Sequence, residues 1–275
     1  MNDRRLTPAN GRVAHVSLKR RVKAERFVAG EPARVAVALA DLLARPGGPR
    51  DRQVLMGERV NVLDRDGGFA FVQAEKDGYC GYLAEGALAG DRAATHWVAA
   101  PATHLYREPS LKTPDVAYLT MGARLTIVAE HPRFLETADG FFAPRPHLRE
   151  LGDWAADPAA VAESLLGTPY LWGGNSRSGI DCSGLVQAAL LACGRPCPGD
   201  SDLQEAGVGT ALAEGTPLCR GDLLFWKGHV AMAVAPERIV HANGFQMAVG
   251  YEDLSEAIAR IAGQGEGPVT SRRRV

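Results

Sequence analysis

The sequence predicts a multidomain chain of two small all-β barrels followed by an α+β domain, and three observations carry that expectation. The chain has 275 residues, room for about two domains or three small ones. Short β-like segments punctuated by Gly turns fill the region from Gln53 to Leu151. Beyond Asp153 the texture changes to longer apolar runs with helix-capping residues, then to a hairpin pattern. A hydrophobic content of 46% and a charged content of 23% describe a globular protein. The formal net charge of -1 gives no reason to expect nucleic acid or an anionic membrane as a partner.

Residues 1–50 read as an N-terminal extension with one short helix, Val35 to Leu43, ending before the breaker run Pro46-Gly47-Gly48-Pro49. The first barrel is expected over 51–92. Val54-Leu55-Met56, Val60-Asn61-Val62-Leu63, Phe69 to Gln73 and Tyr79 to Leu83 are its strands, with turns at Asp66-Gly67-Gly68 and Lys76-Asp77-Gly78. The second is expected over 93–152, from Val98, Thr103 to Tyr106, Tyr118-Leu119, Leu125 to Val128, Phe134 to Thr137 and Phe141 to Ala143. The third domain covers 153–275. Its first helix begins at Pro158 and continues through Val161 to Leu166.

The most informative stretch follows a Gly-rich turn, Tyr170-Leu171-Trp172-Gly173-Gly174. Asp181 precedes an apolar run that reaches Ala192 and stops at Gly194, a helix with both caps. Cys182 sits in its first turn, where the helix dipole favours the nucleophilic thiolate. Downstream, His229 to Val234 and Ile239 to Ala242 flank the turn Ala235-Pro236-Glu237-Arg238. A hairpin centred near Ala235 brings His229 and His241 opposite one another, or nearly so. One imidazole can serve Cys182 as general base while the other orients it. Cys80, Cys193, Cys197 and Cys219 read as structural or incidental, because no second pair has zinc-type spacing. The odd count of five cysteines, and a start without a signal-peptide core, lipobox or membrane span, give cytoplasmic location as the expectation.

Five pieces occur in a fixed order: Gly167-Thr168-Pro169-Tyr170-Leu171-Trp172-Gly173-Gly174, Gly179-Ile180-Asp181-Cys182-Ser183-Gly184-Leu185-Val186, Pro217 to Trp226, Gly228-His229-Val230-Ala231-Met232 and Ile239-Val240-His241-Ala242. With them, the chain from about Trp154 onward resembles the NlpC/P60 family of papain-like cysteine peptidases, which cleave bacterial cell-wall peptides. The resemblance implies Cys182 as nucleophile, His229 as base and His241 as the orienting residue. Gly57-Glu58, Val60-Asn61-Val62, the aromatic strand Phe69 to Gln73 and Asp77-Gly78-Tyr79-Cys80-Gly81-Tyr82 resemble a bacterial SH3 module. The second barrel is a divergent match, its aromatic motif reduced to Gly140-Phe141-Phe142-Ala143.

Two SH3-like barrels before such a domain resemble the cytoplasmic γ-D-glutamyl-L-diamino acid endopeptidases of dipeptidyl-peptidase VI type. That implies hydrolysis of the γ-D-Glu–diamino acid bond, to meso-diaminopimelate or L-Lys, in murein stem peptides with a free N-terminus. It also implies a role in cell-wall peptide recycling, no metal or organic cofactor, and a first SH3 module that walls off the cleft. By the same resemblance Tyr170, Asp181, Ser183 and Ser201 match the dipeptide pocket and Tyr79 the SH3 contribution, with Glu58 a second acceptor for the substrate ammonium. Plainer roles stand beside these: Asp181 and Ser201 as helix caps, Tyr79 as barrel packing with Tyr82 the contact residue instead. Two other classes stay open, a catalytically silent SH3-bearing protein that binds murein peptides, and a thiol amidase or acyltransferase on the same fold. Oligomeric state and the choice of diamino acid leave no mark in the sequence.

Overall fold

Val54, Val60, Val62, Ala70, Val72 and Leu83 are all buried, and where they share a segment they recur at two-residue intervals, as strands do when one face closes over a core. The computed structural model describes residues 3–275, and the chain divides into one unit ending at Leu151 and another beginning at Gly152.

The N-terminal unit is β-rich. Its first assembly is an antiparallel seven-stranded sheet in the spatial order Arg50–Leu55, Leu39–Leu43, Cys80–Ala84, Phe69–Ala74, Arg59–Asp66, Glu31–Val35, Leu88–Gly90. The second runs Asp115–Thr120, Ala102–Tyr106, Phe142–Pro144, Phe134–Thr137, Ile127–Glu130, with a small sheet of Arg124–Leu125, His96–Val98 and Leu148–Glu150. This path repeats the first if Arg124–Leu125 and Ile127–Glu130 are taken as one strand interrupted at Thr126. Each path enters its last strand through a single 3-10 turn, Glu85–Ala87 in one and Arg145–His147 in the other.

The stretch Val35 to Leu43, expected as a short helix, is instead the end of one strand and the whole of the next. Ala40 and Leu42 are buried while Asp41 between them is exposed, a two-residue period. Pairing of Leu39–Leu43 with Arg50–Leu55 overrides the helix preference of Ala and Leu. The first sheet therefore draws on residues from Glu31 onward, upstream of the expected start at residue 51.

The C-terminal unit carries helices α1 (Pro158–Ser164), α2 (Cys182–Ala192), α3 (Ser201–Gly207) and α4 (Leu254–Gly263). Its six-stranded antiparallel sheet has the order Thr210–Ala211, Ser271–Arg274, Leu223–Trp226, His229–Ala235, Arg238–Asn243, Ala248–Asp253. Asp157 caps α1, accepting from the Ala159 amide at 2.9 Å, with Pro158 in the first turn where no amide donor is needed. Leu224, Trp226, Ala231, Ala233 and Ile239 pack against Ala257 and Ile261 of α4. The basic run at Arg272 to Arg274, which reads from sequence as a solvated or frayed end, is a paired strand, and Arg274 holds the buried Asp222 at 2.8 Å. Among the described residues no helix is long and apolar enough to cross a membrane.

Candidate active site

Helix α2 begins where the sequence places it because Asp181 spends both carboxylate oxygens there. Oδ1 accepts from the Gly184 amide at 2.6 Å and the Ser183 hydroxyl at 3.0 Å, and Oδ2 accepts from the Gly173 amide at 2.9 Å. The Gly173–Gly174 loop is thereby fastened to the helix start. It lies so close that a Cβ on Gly184 would stand 2.4 Å from the Gly174 carbonyl oxygen, so glycine is required. Cys182 becomes the first residue of α2, at the positive end of the helix dipole, 6% exposed and with its sulfur 4.0 Å from the Gly228 carbonyl oxygen.

Gly228 leads directly into the strand that starts with His229. Met232 pairs with Val240 in the hairpin, which makes His229 and His241 diagonal neighbours on one face rather than directly opposed. His229 Nε2 and His241 Nδ1 are 2.9 Å apart, with ring centroids at 5.1 Å. On the next strand Glu252 pairs with Ile239 and is again the diagonal neighbour of His241. Its Oε2 lies 3.0 Å from His241 Nε2. Arg260 of α4 closes the row, donating from Nε to Oε1 and from Nη2 to Oε2 of Glu252, both at 2.8 Å. Alternation places Ala231, Ala233 and Ile239 on the same face as both histidines, and their packing on α4 brings Arg260 within reach.

Burial decides the charge states. It pushes the pKa of His229 down to about 3 and that of His241 down to about 4, so both imidazoles are neutral near pH 7. For His241 the attraction of Glu252 opposes burial and loses. Hydrogen bonding from Arg260 holds the Glu252 carboxyl below its ordinary range, ionised and able only to accept.

Beside this row lies a cleft of about 660 Å³, lined among others by Tyr170, Trp172, His229, Phe245 and Arg260. Trp172 and Phe245 stand on it 70% and 65% exposed. Burial, with Cys182 and Asp181 nearby, raises the Tyr170 pKa, keeping the phenol protonated as a hydrogen-bond donor. Ser183 is buried against Asp181. Ser201 opens α3, but Asp200 holds the N-cap position, and Gln204 of α3 ties to α2 through the Ser183 carbonyl at 2.8 Å.

In the N-terminal unit Tyr79 is 2% exposed within the first core, where it packs with Val54, Val72 and Leu83. Glu58 pairs with Lys76 at 2.8 Å, and its second oxygen is buried without a hydrogen-bond partner among the described residues. Tyr82 is half-buried and stacks on Phe71 with centroids 5.1 Å apart. Sequence reasoning missed Glu252 and Arg260. The available signal was the alternation of Ala248–Asp253, which sets Glu252 in register beside the histidine strand, with Arg260 two turns later on the following helix.

Comparison with known proteins agrees with this construction. Residues 42–88 match the profile described as the bacterial dipeptidyl-peptidase Sh3 domain, and residues 167–261 that of the NlpC/P60 family. A γ-D-glutamyl-L-lysine dipeptidyl-peptidase of Bacillus subtilis (strain 168) is 30% identical over 237 residues, covering 75% of this chain and 76% of the relative. The protein of the same name from Bacillus cereus is 28% identical over 70% of this chain and 67% of its own length. An NlpC/P60 family protein from Bacillus cereus ATCC 10987 shares the fold, with a TM-score of 0.75 at 22% identity over 89% of this chain and 99% of that one. An SH3-like region followed by a thiol at a helix start and a histidine pair, in a chain alike over three quarters of its length, identifies a hydrolase: the chain belongs to the NlpC/P60 family of cysteine peptidases.

Proposed function

We propose that this peptidase hydrolyses the γ-D-Glu–diamino acid bond of murein stem peptides with a free N-terminus, releasing L-Ala-γ-D-Glu, and serves cell-wall peptide recycling in the cytoplasm. The observation that carries the reading is Cys182 at the head of α2, its sulfur 4.0 Å from the carbonyl of Gly228, the residue just before a neutral His229 whose Nε2 is engaged by His241. Nδ1 is then the ring nitrogen left to take the thiol proton. The names of the relatives support the bond, and the repeated strand order of the N-terminal unit supports two SH3-like barrels rather than one.

In the proposed cycle His229 accepts the proton of Cys182, and the sulfur attacks the γ-carbonyl carbon of D-Glu. The oxyanion is held by the Cys182 amide at the helix start and by the Tyr170 phenol. Protonated His229 then delivers its proton to the departing diamino-acid amine, and water, deprotonated by His229, hydrolyses the thioester. Asp181, Ser183 and Ser201 contact the dipeptide.

The test is mass spectrometry of L-Ala-γ-D-Glu-meso-diaminopimelate, its L-Lys counterpart and their N-acetylated forms, each with the wild-type protein and with Cys182→Ala. Release of L-Ala-γ-D-Glu from the free-amine peptides alone, only when Cys182 is present, is the expected result. Equal cleavage of acetylated peptides refutes the free-N-terminus requirement, and transfer to an acceptor other than water refutes hydrolysis.

A further inference from the structure

We infer that Glu252, clamped by Arg260, is a positioning residue that selects the ring tautomers of His241 and His229 and so leaves the lone pair on His229 Nδ1, the nitrogen that takes the thiol proton in the proposed cycle. The inference rests on the reading of Cys182 and His229 as nucleophile and base.

The argument is one of donors and acceptors. An ionised carboxylate accepts and cannot donate, so the 3.0 Å contact at His241 Nε2 requires a proton on that nitrogen. A neutral imidazole has one N–H, so His241 Nδ1 is bare and accepts. The 2.9 Å contact from His229 Nε2 to His241 Nδ1 therefore needs the proton on His229 Nε2. His229 Nδ1 is left without a proton, the state a general base requires. When His229 becomes an imidazolium the row keeps every bond, because Nε2–H still donates to His241. Without Glu252 the choice is lost. Arg260, 17% exposed beside the fully buried His241, could donate to His241 Nε2, which moves the proton to Nδ1 of each ring and blocks the base. Geometry makes the carboxylate specific: both of its oxygens are already taken by Arg260, so it cannot rotate away.

The experiment reads the tautomers directly. Nitrogen-15 spectra of the full chain carrying Cys182→Ala, which removes the thiol as a proton source, are expected to show both His229 and His241 protonated at Nε2 and bare at Nδ1. In the same background Glu252→Ala is expected to populate the Nδ1–H form of each ring, and Glu252→Asp to restore the Nε2–H form. With Cys182 present, Glu252→Ala is expected to lower kcat by about 10- to 100-fold with little change in KM, a smaller loss than that of a direct triad partner, and Glu252→Asp to recover part of it. His229 protonated at Nδ1 in the Cys182→Ala protein overturns the inference, and that spectrum needs no Glu252 variant to fold. Unchanged ring-nitrogen resonances in Glu252→Ala also overturn it, whatever happens to kcat. Failure of the functional reading is separate, since it shows as no turnover of the peptide by the wild-type enzyme while the tautomers stand as assigned.

Discussion

Asp181 joins helix α2 to the loop in front of it. Its two oxygens accept from Gly184, Ser183 and Gly173, which fixes both the start of α2 and the loop in front of it. Asp181→Ala is predicted to lower the unfolding free energy by about 1–2 kcal/mol in urea titrations, as loss of a helix cap does. Asp181→Asn keeps an oxygen for the Gly184 amide but turns its NH2 toward the Gly173 amide, so it restores part of the cap and carries no charge. If the carboxylate also meets the substrate ammonium, the Asn variant recovers part of the stability while KM for the free-amine peptide stays raised. A KM that returns together with stability leaves Asp181 as a cap only. The placement of Cys182, His229 and His241 was legible because each sits in a local pattern: a helix start and the two arms of a hairpin. Glu252 was not, because its meaning depends on pairing between strands and on a side chain from α4.

At the scale of elements, the site depends on a helix and a loop that touch backbone to backbone. Gly184→Ala places a methyl group against the Gly174 carbonyl oxygen, 2.4 Å away. The expected cost is about 1–3 kcal/mol of stability, as for an overpacked core, with a loss of kcat because the displaced segment carries Cys182. Full stability and full activity in this variant contradict the tight junction. The caps of α2 could be read from sequence because Asp181 and Gly194 bracket a largely apolar run. Val35 to Leu43 misled because Ala and Leu suit a helix on local grounds, and only its strand partners at Arg50–Leu55 and Tyr82 decide otherwise. The short strands between residues 96 and 150 were readable from turn spacing, whereas the break at Thr126 was not.

At the scale of the whole molecule, the buried histidine row sets the response to acid. In the unfolded chain imidazoles titrate near pH 6.5, about three units above the buried pair, so below that pH the unfolded state binds protons that the folded state excludes. Stability therefore falls as pH drops from about 6.5 toward 4, and the two histidines impose no such penalty above about pH 7. The depressed carboxyls of Glu252, Glu163 and Asp157 add stability that is present above the ordinary carboxylate range and lost as pH falls through their lower folded values. Between pH 7 and 5 the histidines dominate. Urea midpoints are predicted to decline over that window in the wild type and to decline less in His241→Asn, and equal slopes contradict the assignment. The central claim, that Cys182 forms a thioester with the γ-carboxyl of D-Glu, is tested most directly by quenching a reaction with L-Ala-γ-D-Glu-p-nitroanilide. Its activated leaving group speeds acylation while deacylation, which no longer involves that group, is unchanged and becomes limiting, so the acyl-enzyme accumulates. The predicted result is intact protein carrying one L-Ala-γ-D-Glu acyl group, mapped to the peptide that contains Cys182 and absent from Cys182→Ala. Turnover that persists in Cys182→Ala, or an adduct on another residue, would contradict it.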